Sequence, residues 1–156
     1  MEKRGLLAIL KEKNVDQTAK ICWADEMRLG LISQVRRVWS SVGIKVVQKI
    51  QISYKYVYLH LAVDGIAGTF HWRWAENMKT ESVIKAVELW ENAGIDAIIW
   101  DGASSHRAKD VQALDLTLIC QPPYAPELNP AERVFEAVRQ EVEGCVYDTL
   151  EMKQEG

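Results

Sequence analysis

The sequence predicts an α/β fold in which a mixed β-sheet carries helices on its faces. The first half of the chain holds several runs rich in β-branched and aromatic residues that are joined by short turns, which is typical of antiparallel strands. In the second half, helical periodicity alternates with short apolar runs, which is typical of parallel strands joined by helical crossovers. The 156 residues, of which 48% are hydrophobic, suffice for one domain with a buried core.

The first half begins with a short helical segment and continues as strands. Residues 5–13 have leucine and isoleucine at the spacing of a helix. Three runs with strand composition follow: residues 19–25, 44–50 and 53–63. Asp64 and Gly65 separate the last of these from another strand-like run, and this dipeptide favours a hairpin. We therefore assign Asp64 to a turn and exclude it from the candidate site.

The second half alternates helices with short buried strands. Helices are predicted over residues 80–93 and 105–114 and from Asn129 onward, and strands over residues 96–101 and 116–121. Thr80 and Asn129 are suitable N-cap residues, and Pro130 suits the first helical position. The predicted organisation is a helical N-terminal extension over residues 1–18, a central α/β domain over residues 19–144 and a polar C-terminal tail over residues 145–156.

Composition argues against several classes of protein. No apolar run approaches the roughly 20 residues that span a bilayer, and the N-terminal segment lacks the long apolar region of a signal peptide. We therefore expect a cytoplasmic protein with no membrane partner. The three cysteines have no CxxC spacing, so they indicate neither a disulfide framework nor a zinc site.

Three acidic residues lie in contexts that favour a shared site. Asp25 and Asp101 each end a predicted buried strand, and Glu132 lies near the start of the last helix at the edge of its apolar stripe. Acids at the carboxyl ends of neighbouring strands meet at the rim of a sheet. Three carboxylates without cationic partners repel one another. Bound Mg²⁺ or Mn²⁺ would relieve this repulsion and could support phosphoryl transfer.

Each of these acids also has a purely structural interpretation. Asp101 could accept hydrogen bonds from a turn, and Asp25 could cap the segment that follows its strand. Glu132 could complete a capping box with Asn129. Their joint occurrence in these contexts favours a shared site over three separate structural roles.

Other residues near the three acids are weaker candidates. Glu26 is a rival acid, but strand alternation turns it away from the face that carries its neighbour. Glu127 lies in a loop. His106 is either structural or a contact to phosphate or to the residues around a metal. Trp72 and Trp74 alternate on one strand face, where core packing competes with base stacking or a partner interface.

The charge of the chain is unevenly distributed. The net charge is −3, which is not typical of a nucleic-acid-binding protein, yet residues 27–63 contain no Asp or Glu. The basic residues of this block are Arg28, Arg36, Arg37, Lys45, Lys49 and Lys55. A solvated face would explain them, but beside an acidic metal site they better fit a surface that follows phosphate groups.

Three segments resemble the catalytic domain of mariner-like transposases and their bacterial insertion-sequence relatives. The segments are WADEMRLGL, IIWDGASSHRA and QPPYAPELNPAERVF, which together span Trp23 to Phe135. The resemblance implies a ribonuclease H-like α/β fold with a mixed five-stranded sheet flanked by helices. It also implies that Asp25, Asp101 and Glu132 form a catalytic, metal-binding triad that holds Mg²⁺ or Mn²⁺, as a pair of ions.

The resemblance further implies an activity on DNA. Family members cut DNA at transposon ends with Mg²⁺ and join the freed 3′-hydroxyl to target DNA. We expect a homodimer or a larger assembly on DNA, associated with the nucleoid. The residues expected to contact DNA are Arg28, Arg36, Arg37, Lys45, His106 and Arg107.

The chain departs from the family pattern in three respects. Gly102 stands where the family usually has Asn, and the 30 residues between Asp101 and Glu132 are somewhat few. The N-terminal helix-turn-helix region of full-length members is absent. We therefore expect a catalytic half (a split-frame product, a remnant or an excised piece) that depends on a separate helix-turn-helix polypeptide. Two alternatives stay open: a ribonuclease H-like nuclease of repair or hybrid processing, and a degenerate remnant that does not cut.

Overall fold

The computed structural model describes residues 6–16, 18–35, 37–103, 106, 108–121 and 129–155. Its helices are α1 (Leu6–Glu12), α2 (Thr80–Asn92), α3 (Lys109–Gln112), α4 (Ala131–Val142) and α5 (Leu150–Glu155), and its strands are β1 (Ile21–Gly30), β2 (Tyr56–Asp64), β3 (Thr69–Ala75), β4 (Ala97–Trp100) and β5 (Thr117–Cys120). The strands form one sheet in the order β3-β2-β1-β4-β5. β1, β2 and β3 pair antiparallel, whereas β1, β4 and β5 pair parallel. The predicted mixed five-stranded sheet is therefore confirmed.

The turn between β2 and β3 follows from the Asp64-Gly65 dipeptide. The Asp64 carboxylate oxygen Oδ1 accepts hydrogen bonds from the N–H groups of Ile66 and Ala67, both at 2.9 Å. Gly68 has a φ of +67°, which suits glycine, and donates its N–H to the Asp64 carbonyl at 2.9 Å. The predicted turn role of Asp64 is confirmed.

The central strand β1 is longer than the sequence predicts. Its antiparallel pairing with β2 runs from Trp23 to Gly30, whereas its parallel pairing with β4 covers only Ile21 to Trp23. Residues 24–30 of β1 therefore have a strand neighbour on one side only. Asp25 lies within the strand, so its predicted position at the strand end is wrong. The reason is that β2 continues to pair with β1 after β4 has ended.

An extended segment, residues 31–55, joins β1 to β2 and is called the arm here. The two legs of the arm lie side by side near its base. The Leu31 N–H donates to the Lys55 carbonyl at 3.0 Å, and the Ser33 N–H donates to the Gln51 carbonyl at 3.1 Å. These contacts hold the base of the arm closed without extending the sheet.

The strand predicted over residues 44–50 is wrong, because the described residues of the arm contain no strand. A turn at the tip is closed by the N–H of Ile44, which donates to the Ser41 carbonyl at 3.1 Å. Trp39 and Val42 beside this turn are fully exposed. β-branched composition favours a strand only where a partner strand and a buried face are present, and the arm lies beyond the sheet.

The helix boundaries differ from the predictions by one or more residues. α2 begins at Thr80 with Lys79 at the N-cap position, so Thr80 as the cap is wrong. α3 is much shorter than the predicted helix over residues 105–114. Regular helix in α4 begins at Ala131 and not at Asn129, although Asn129 Oδ1 still accepts the N–H of Ala131 at 3.0 Å.

The sheet is covered on both faces, and alternation along β1 separates its side chains. Cys22 and Ala24 pack under α2, in a cluster that includes Val83, Val87 and Trp90. Met27 and Leu29 pack on the opposite face, in a cluster that includes Leu59, Leu61 and Phe135 of α4. Ile9 and Leu10 of α1 pack on Ala97, Ile99 and Ile119. Asp25 therefore faces the α4 side and Glu26 faces the α2 side.

The last described helix packs against the sheet layer. Leu150 and Tyr147 pack against the cluster under α4. The buried Lys153 donates to the Gly30 carbonyl at 2.7 Å, where β1 leads into the arm. The domain boundaries at residues 18 and 144 stay a prediction. In the part of the chain that the structure describes, no helix has the length and apolarity needed to cross a bilayer.

Candidate catalytic and metal-binding site

Asp25 is held against the start of α4 by an asparagine. Its Oδ1 accepts the N–H of Glu26 at 2.8 Å, and its Oδ2 accepts Nδ2 of Asn129 at 3.3 Å. The same Asn129 amide donates to the Ala24 carbonyl at 3.2 Å. Because Asn129 lies three residues before Glu132, this amide fixes the first turn of α4 beside β1. Sequence reasoning assigned Asn129 a capping role and missed its contact with Asp25.

Asp101 follows β4 and is the most accessible of the strand acids, with 62% of its side chain exposed. Its Oδ1 accepts the N–H of Ala103 at 2.9 Å, so the turn interpretation of Asp101 is correct as far as it goes. The same oxygen lies 3.0 Å from Nδ1 of His106. One carboxylate oxygen is thus engaged, and the exposed side chain can still reach a ligand.

Glu132 lies in the first turn of α4, and its side chain is exposed. The negative charge of Glu132 contributes to the raised pKa of Asp25. Burial is the largest cause that raises the pKa of Asp25 from 3.8 to about 6, while the hydrogen bond from the Glu26 N–H opposes the rise. Three neighbouring negative charges raise it further, namely those of Glu26, Glu132 and Asp101. The three predicted acids therefore share one electrostatic environment.

The chemistry of these donors suits a hard divalent cation. All three acids offer carboxylate oxygens, which Mg²⁺ and Mn²⁺ prefer. Burial first, and then the neighbouring negative charges, raise the pKa of Asp25, and a bound cation would favour its charged form. Within the described residues, no three His, Cys, Asp or Glu side chains converge closely enough to hold a metal ion. Metal binding would therefore require some side chains at the site to change position, and the exposed side chain of Glu132 can do so.

Glu26 occupies the opposite face of β1 and is surrounded by histidines. Only 9% of its side chain is exposed, and its Oε1 lies 3.0 Å from Nε2 of His106. The fully buried His60 places Nδ1 3.4 Å from the same oxygen, which is within ion-pair distance but does not meet the geometry of a hydrogen bond. Burial alone would raise the pKa of Glu26, but the contacts and charges of the two histidines outweigh it and lower the pKa from 4.5 to about 2.

His106 is enclosed by the same group of residues. It is 1% exposed, and its ring stacks on Trp100 with centroids 4.0 Å apart and an interplanar angle of 6°. Burial opposes protonation, but the bond to Glu26, followed by the contacts with Asp101, raises the pKa of His106. Burial contradicts the predicted DNA contact of His106. Its contact with Asp101 agrees with the alternative role beside a metal ligand.

Sequence reasoning set Glu26 aside, and the structure shows why it could be overlooked. Its rejection as a partner of Asp25 was right, since the two side chains lie on opposite faces of β1. The role of Glu26 depends on two contacts that the sequence does not show. His60 lies beside Glu26 on the neighbouring strand β2, and His106 reaches Glu26 from the loop after β4. A glutamate on a buried face of a sheet needs hydrogen-bonding or charged partners. This requirement is the one signal in the sequence that could have pointed to histidine partners for Glu26.

The predicted DNA-contacting residues are spread along β1 and the arm. Arg28 is exposed on β1, and its guanidinium lies 5.4 Å from the ring centroid of Tyr56. Arg37 and Lys45 are exposed on the arm. Arg36, Arg107 and the rival acid Glu127 lie outside the described residues.

The two tryptophans of β3 have different environments. Trp74 is partly buried and packs against the cluster under α4, whereas Trp72 is 51% exposed. Their rings meet edge to face with centroids 6.1 Å apart. Core packing therefore accounts for Trp74 but not fully for Trp72.

The fold is similar to that of solved transposase and integrase structures. A Mos1 transposase paired-end complex with left transposon end is 16% identical, with a TM-score of 0.66, over 96% of this chain and 49% of that chain. A Mos1 mariner paired end complex with Mn is 14% identical, with a TM-score of 0.67, over 96% of this chain and 50% of that chain. The HTLV-2 integrase catalytic core domain in complex with magnesium, in its trimeric form, is 12% identical, with a TM-score of 0.53, over 80% of this chain and 70% of that chain.

These comparisons show the fold and place the chain in a family. The likeness confirms the predicted ribonuclease H-like architecture. The chain spans about half the length of the transposase chains that it matches. No curated protein matches the sequence. The sequence profile of the DDE superfamily endonucleases matches residues 20–151, a range that includes all three predicted acids, and the chain therefore belongs to the DDE superfamily endonuclease family.

Proposed function

We propose that this chain is the catalytic domain of a DNA transposase, which hydrolyses phosphodiester bonds at transposon ends and joins the freed 3′-hydroxyl to target DNA. The observation that carries the proposal is the placement of the acids: Asp25 lies on β1 beyond its last pair with β4, Asp101 directly follows β4, and Glu132 lies in the first turn of α4, which Asn129 holds against Asp25. Negative charge without a cationic partner at this position is what a divalent cation would neutralise. The family of the chain and the likeness to Mos1 transposase support the same proposal.

The roles of the acids follow from their positions. Asp25 and Asp101 would hold two Mg²⁺ or Mn²⁺ ions between them, and Glu132 would complete the coordination of one ion. When bound, such ions activate an attacking oxygen and stabilise a leaving oxygen. Asn129 would keep Glu132 within reach by fixing α4 on β1. The partial exposure of Asp101 leaves room for a phosphate group to approach.

DNA binding is proposed for the exposed basic residues near the site and on the arm. Arg28, Arg37 and Lys45 are all exposed, and no acid lies within residues 27–63. Such a surface would attract the phosphate backbone without reading base sequence. Recognition of a specific transposon end is proposed to need a helix-turn-helix unit in addition to these residues.

Assembly of two or more copies is also proposed, and the arm supports it. Large apolar residues on the arm are exposed: Val35, Val38, Trp39, Val42, Ile44, Val47, Ile50 and Ile52. Monomeric proteins rarely expose so many apolar side chains in one segment. We expect the chain to sediment as a dimer or larger species in the presence of DNA, and a monomer under all conditions would contradict this proposal.

A nuclease assay tests the proposed activity. Asp101→Asn is expected to abolish Mn²⁺-dependent nicking of supercoiled plasmid DNA while the circular dichroism spectrum stays unchanged. Asp115→Asn, which changes an exposed acid that the proposal does not use, is the matched control and should nick normally. Retained nicking by the Asp101 variant would contradict the assignment. Preferential cleavage of RNA–DNA hybrid would favour the ribonuclease H-like alternative instead.

The non-catalytic remnant keeps one observation in its favour. The described residues do not form a ready-made group of three metal ligands. Calorimetric titration of the whole chain with Mn²⁺ separates the two hypotheses. Saturable binding that is lost in Asp25→Asn supports the catalytic proposal, whereas no binding by the wild-type chain favours the remnant.

A further inference from the structure

We propose that Glu26 and His106 act as a positioning pair that holds the Asp101 carboxylate in place for metal binding. The inference rests on the proposed function, because Asp101 must be a metal ligand for its position to matter. Glu26 makes ion-pair contacts with His106 and His60, and Asp101 contacts His106. Glu26 acts through His106.

The geometry shows a bridge between two strands. The Nε2 atom of His106 lies 3.0 Å from Glu26 on β1, and its Nδ1 atom lies 3.0 Å from Oδ1 of Asp101, which follows β4. The same Nδ1 is 3.3 Å from the Asp101 carbonyl. One imidazole thus joins the face of β1 opposite Asp25 to the loop that carries Asp101.

This bridge lies where the sheet no longer connects the two strands. The last pair between β1 and β4 is Trp23 with Ile99, so no ladder hydrogen bonds fix Asp101 relative to β1. Within the described residues, the other hydrogen bond to the Asp101 side chain comes from Ala103, in its own turn. The His106 contact therefore links the Asp101 side chain to the rest of the sheet.

The bridge itself is held rigidly. The His106 ring is stacked on Trp100 at 4.0 Å and is 1% exposed. Glu26 is anchored in turn by the fully buried His60. Contacts on both sides of the imidazole, to Glu26 and to Asp101, together with the stacking on Trp100, fix the ring orientation. Partners that orient a metal ligand in this way typically change metal affinity by about 10- to 100-fold when removed.

Mn²⁺ affinity in the absence of DNA tests the pair. Glu26→Gln and His106→Gln keep similar shapes and are expected to weaken Mn²⁺ binding about tenfold or more, measured by calorimetry on the folded protein. His71→Gln, a histidine of β3 outside this group, is the matched control and should bind normally. A higher Mn²⁺ concentration should restore nicking by the Glu26 variant towards the wild-type kcat, because positioning and not chemistry is lost.

The outcomes are distinguishable. A folded His106→Gln variant with wild-type Mn²⁺ affinity overturns the positioning role while leaving the proposed function intact. A wild-type chain that binds no Mn²⁺ overturns the proposed function, and the positioning role with it. If both variants fail to fold, nitrogen-15 NMR of the metal-free wild-type chain decides. Slowly exchanging protons on both His106 nitrogens support the bridge, and rapid exchange at Nδ1 overturns it.

Discussion

Asp25 and Glu26 are neighbours on one strand, yet the pKa values of their carboxyl groups are shifted in opposite directions. Both are removed from water, and burial raises the pKa of each. Glu26 has two histidines within reach, and its pKa falls to about 2. Among the described residues, the hydrogen-bond partners of Asp25 are amide groups and its charged neighbours are acids, and its pKa rises to about 6.

The difference shows how one strand can carry a structural acid, Glu26, directly beside a proposed metal ligand, Asp25. Alternation along β1 sends the two side chains to different faces, so their environments are independent. On the α2 side His106 and His60 lie within 3.0 and 3.4 Å of the Glu26 carboxylate. On the α4 side the negative charge is the one that the proposed metal ion would neutralise. The partners on each face, more than burial, decide the role of each acid.

The largest expected effect comes from replacing Asp25, the proposed metal ligand. Asp25→Asn should reduce Mn²⁺-dependent nicking below detection, because an amide cannot supply the negative charge that holds the ion. In EDTA at pH 7 the same variant should be at least as stable as the wild type, because it removes an uncompensated buried charge. Plasmid nicking and urea unfolding measure the two effects. A destabilised variant in EDTA would contradict the comparison.

The next effect is the loss of the structural acid. Glu26→Ala should destabilise the metal-free protein by roughly 3 kcal/mol, because His60 and His106 would be left buried without their partner. The free energy of unfolding in urea measures the change. A loss well under 1 kcal/mol would show that the Glu26 cluster does not contribute to stability as its burial suggests.

The pH dependence of stability in EDTA should differ in sign between the two acids. For Asp25 the folded state binds the proton more tightly, so its ionisation lowers stability as pH rises from 3.8 through about 6. For Glu26 the contribution is present above pH 4.5 and is lost as pH falls towards about 2. The unfolding free energy of Asp25→Asn minus that of the wild type should therefore grow between pH 4 and 7. A constant difference would contradict the raised pKa.

A smaller effect is expected at a third kind of carboxylate. Asp64 is satisfied by backbone N–H groups, and the hydrogen bond from Ala67 is the largest cause that lowers its pKa. Asp64→Ala should cost about 1 kcal/mol, the usual contribution of one such hydrogen bond. Mn²⁺ affinity should not change. A loss of Mn²⁺ binding in this variant would mean that the β2–β3 turn contributes to the site.

The sequence predicted features that depend on local patterns. The Asp64 turn, the alternation that separates Asp25 from Glu26 and the parallel strands after α2 all follow from residue order alone. The arm was misassigned because β-branched residues indicate a strand only if a partner strand is available, and sequence does not show the absence of a partner.

Long-range contacts were beyond local reasoning. His60, His106 and Glu26 meet only because β2 pairs with β1 and the loop after β4 turns back to them. The contact of Asn129 with Asp25 likewise joins residues 104 positions apart. Their strand-end and helix-start contexts selected the three acids and the family resemblance implied the same three, whereas the residues that support them are identified only in three dimensions.

The strand order has a consequence for how the chain folds. β1, β2 and β3 are consecutive in sequence and neighbours in the sheet. Cys22 of β1, in contrast, pairs with Ile98 of β4, which is far from it in sequence. Closing the larger loop costs more chain entropy, so we expect the antiparallel half to form first and the parallel half to join it later. Asp25 belongs to the early half and Asp101 to the late half. Metal affinity should therefore appear only at the last step of folding, which would make a bound ion a reporter of the completed sheet.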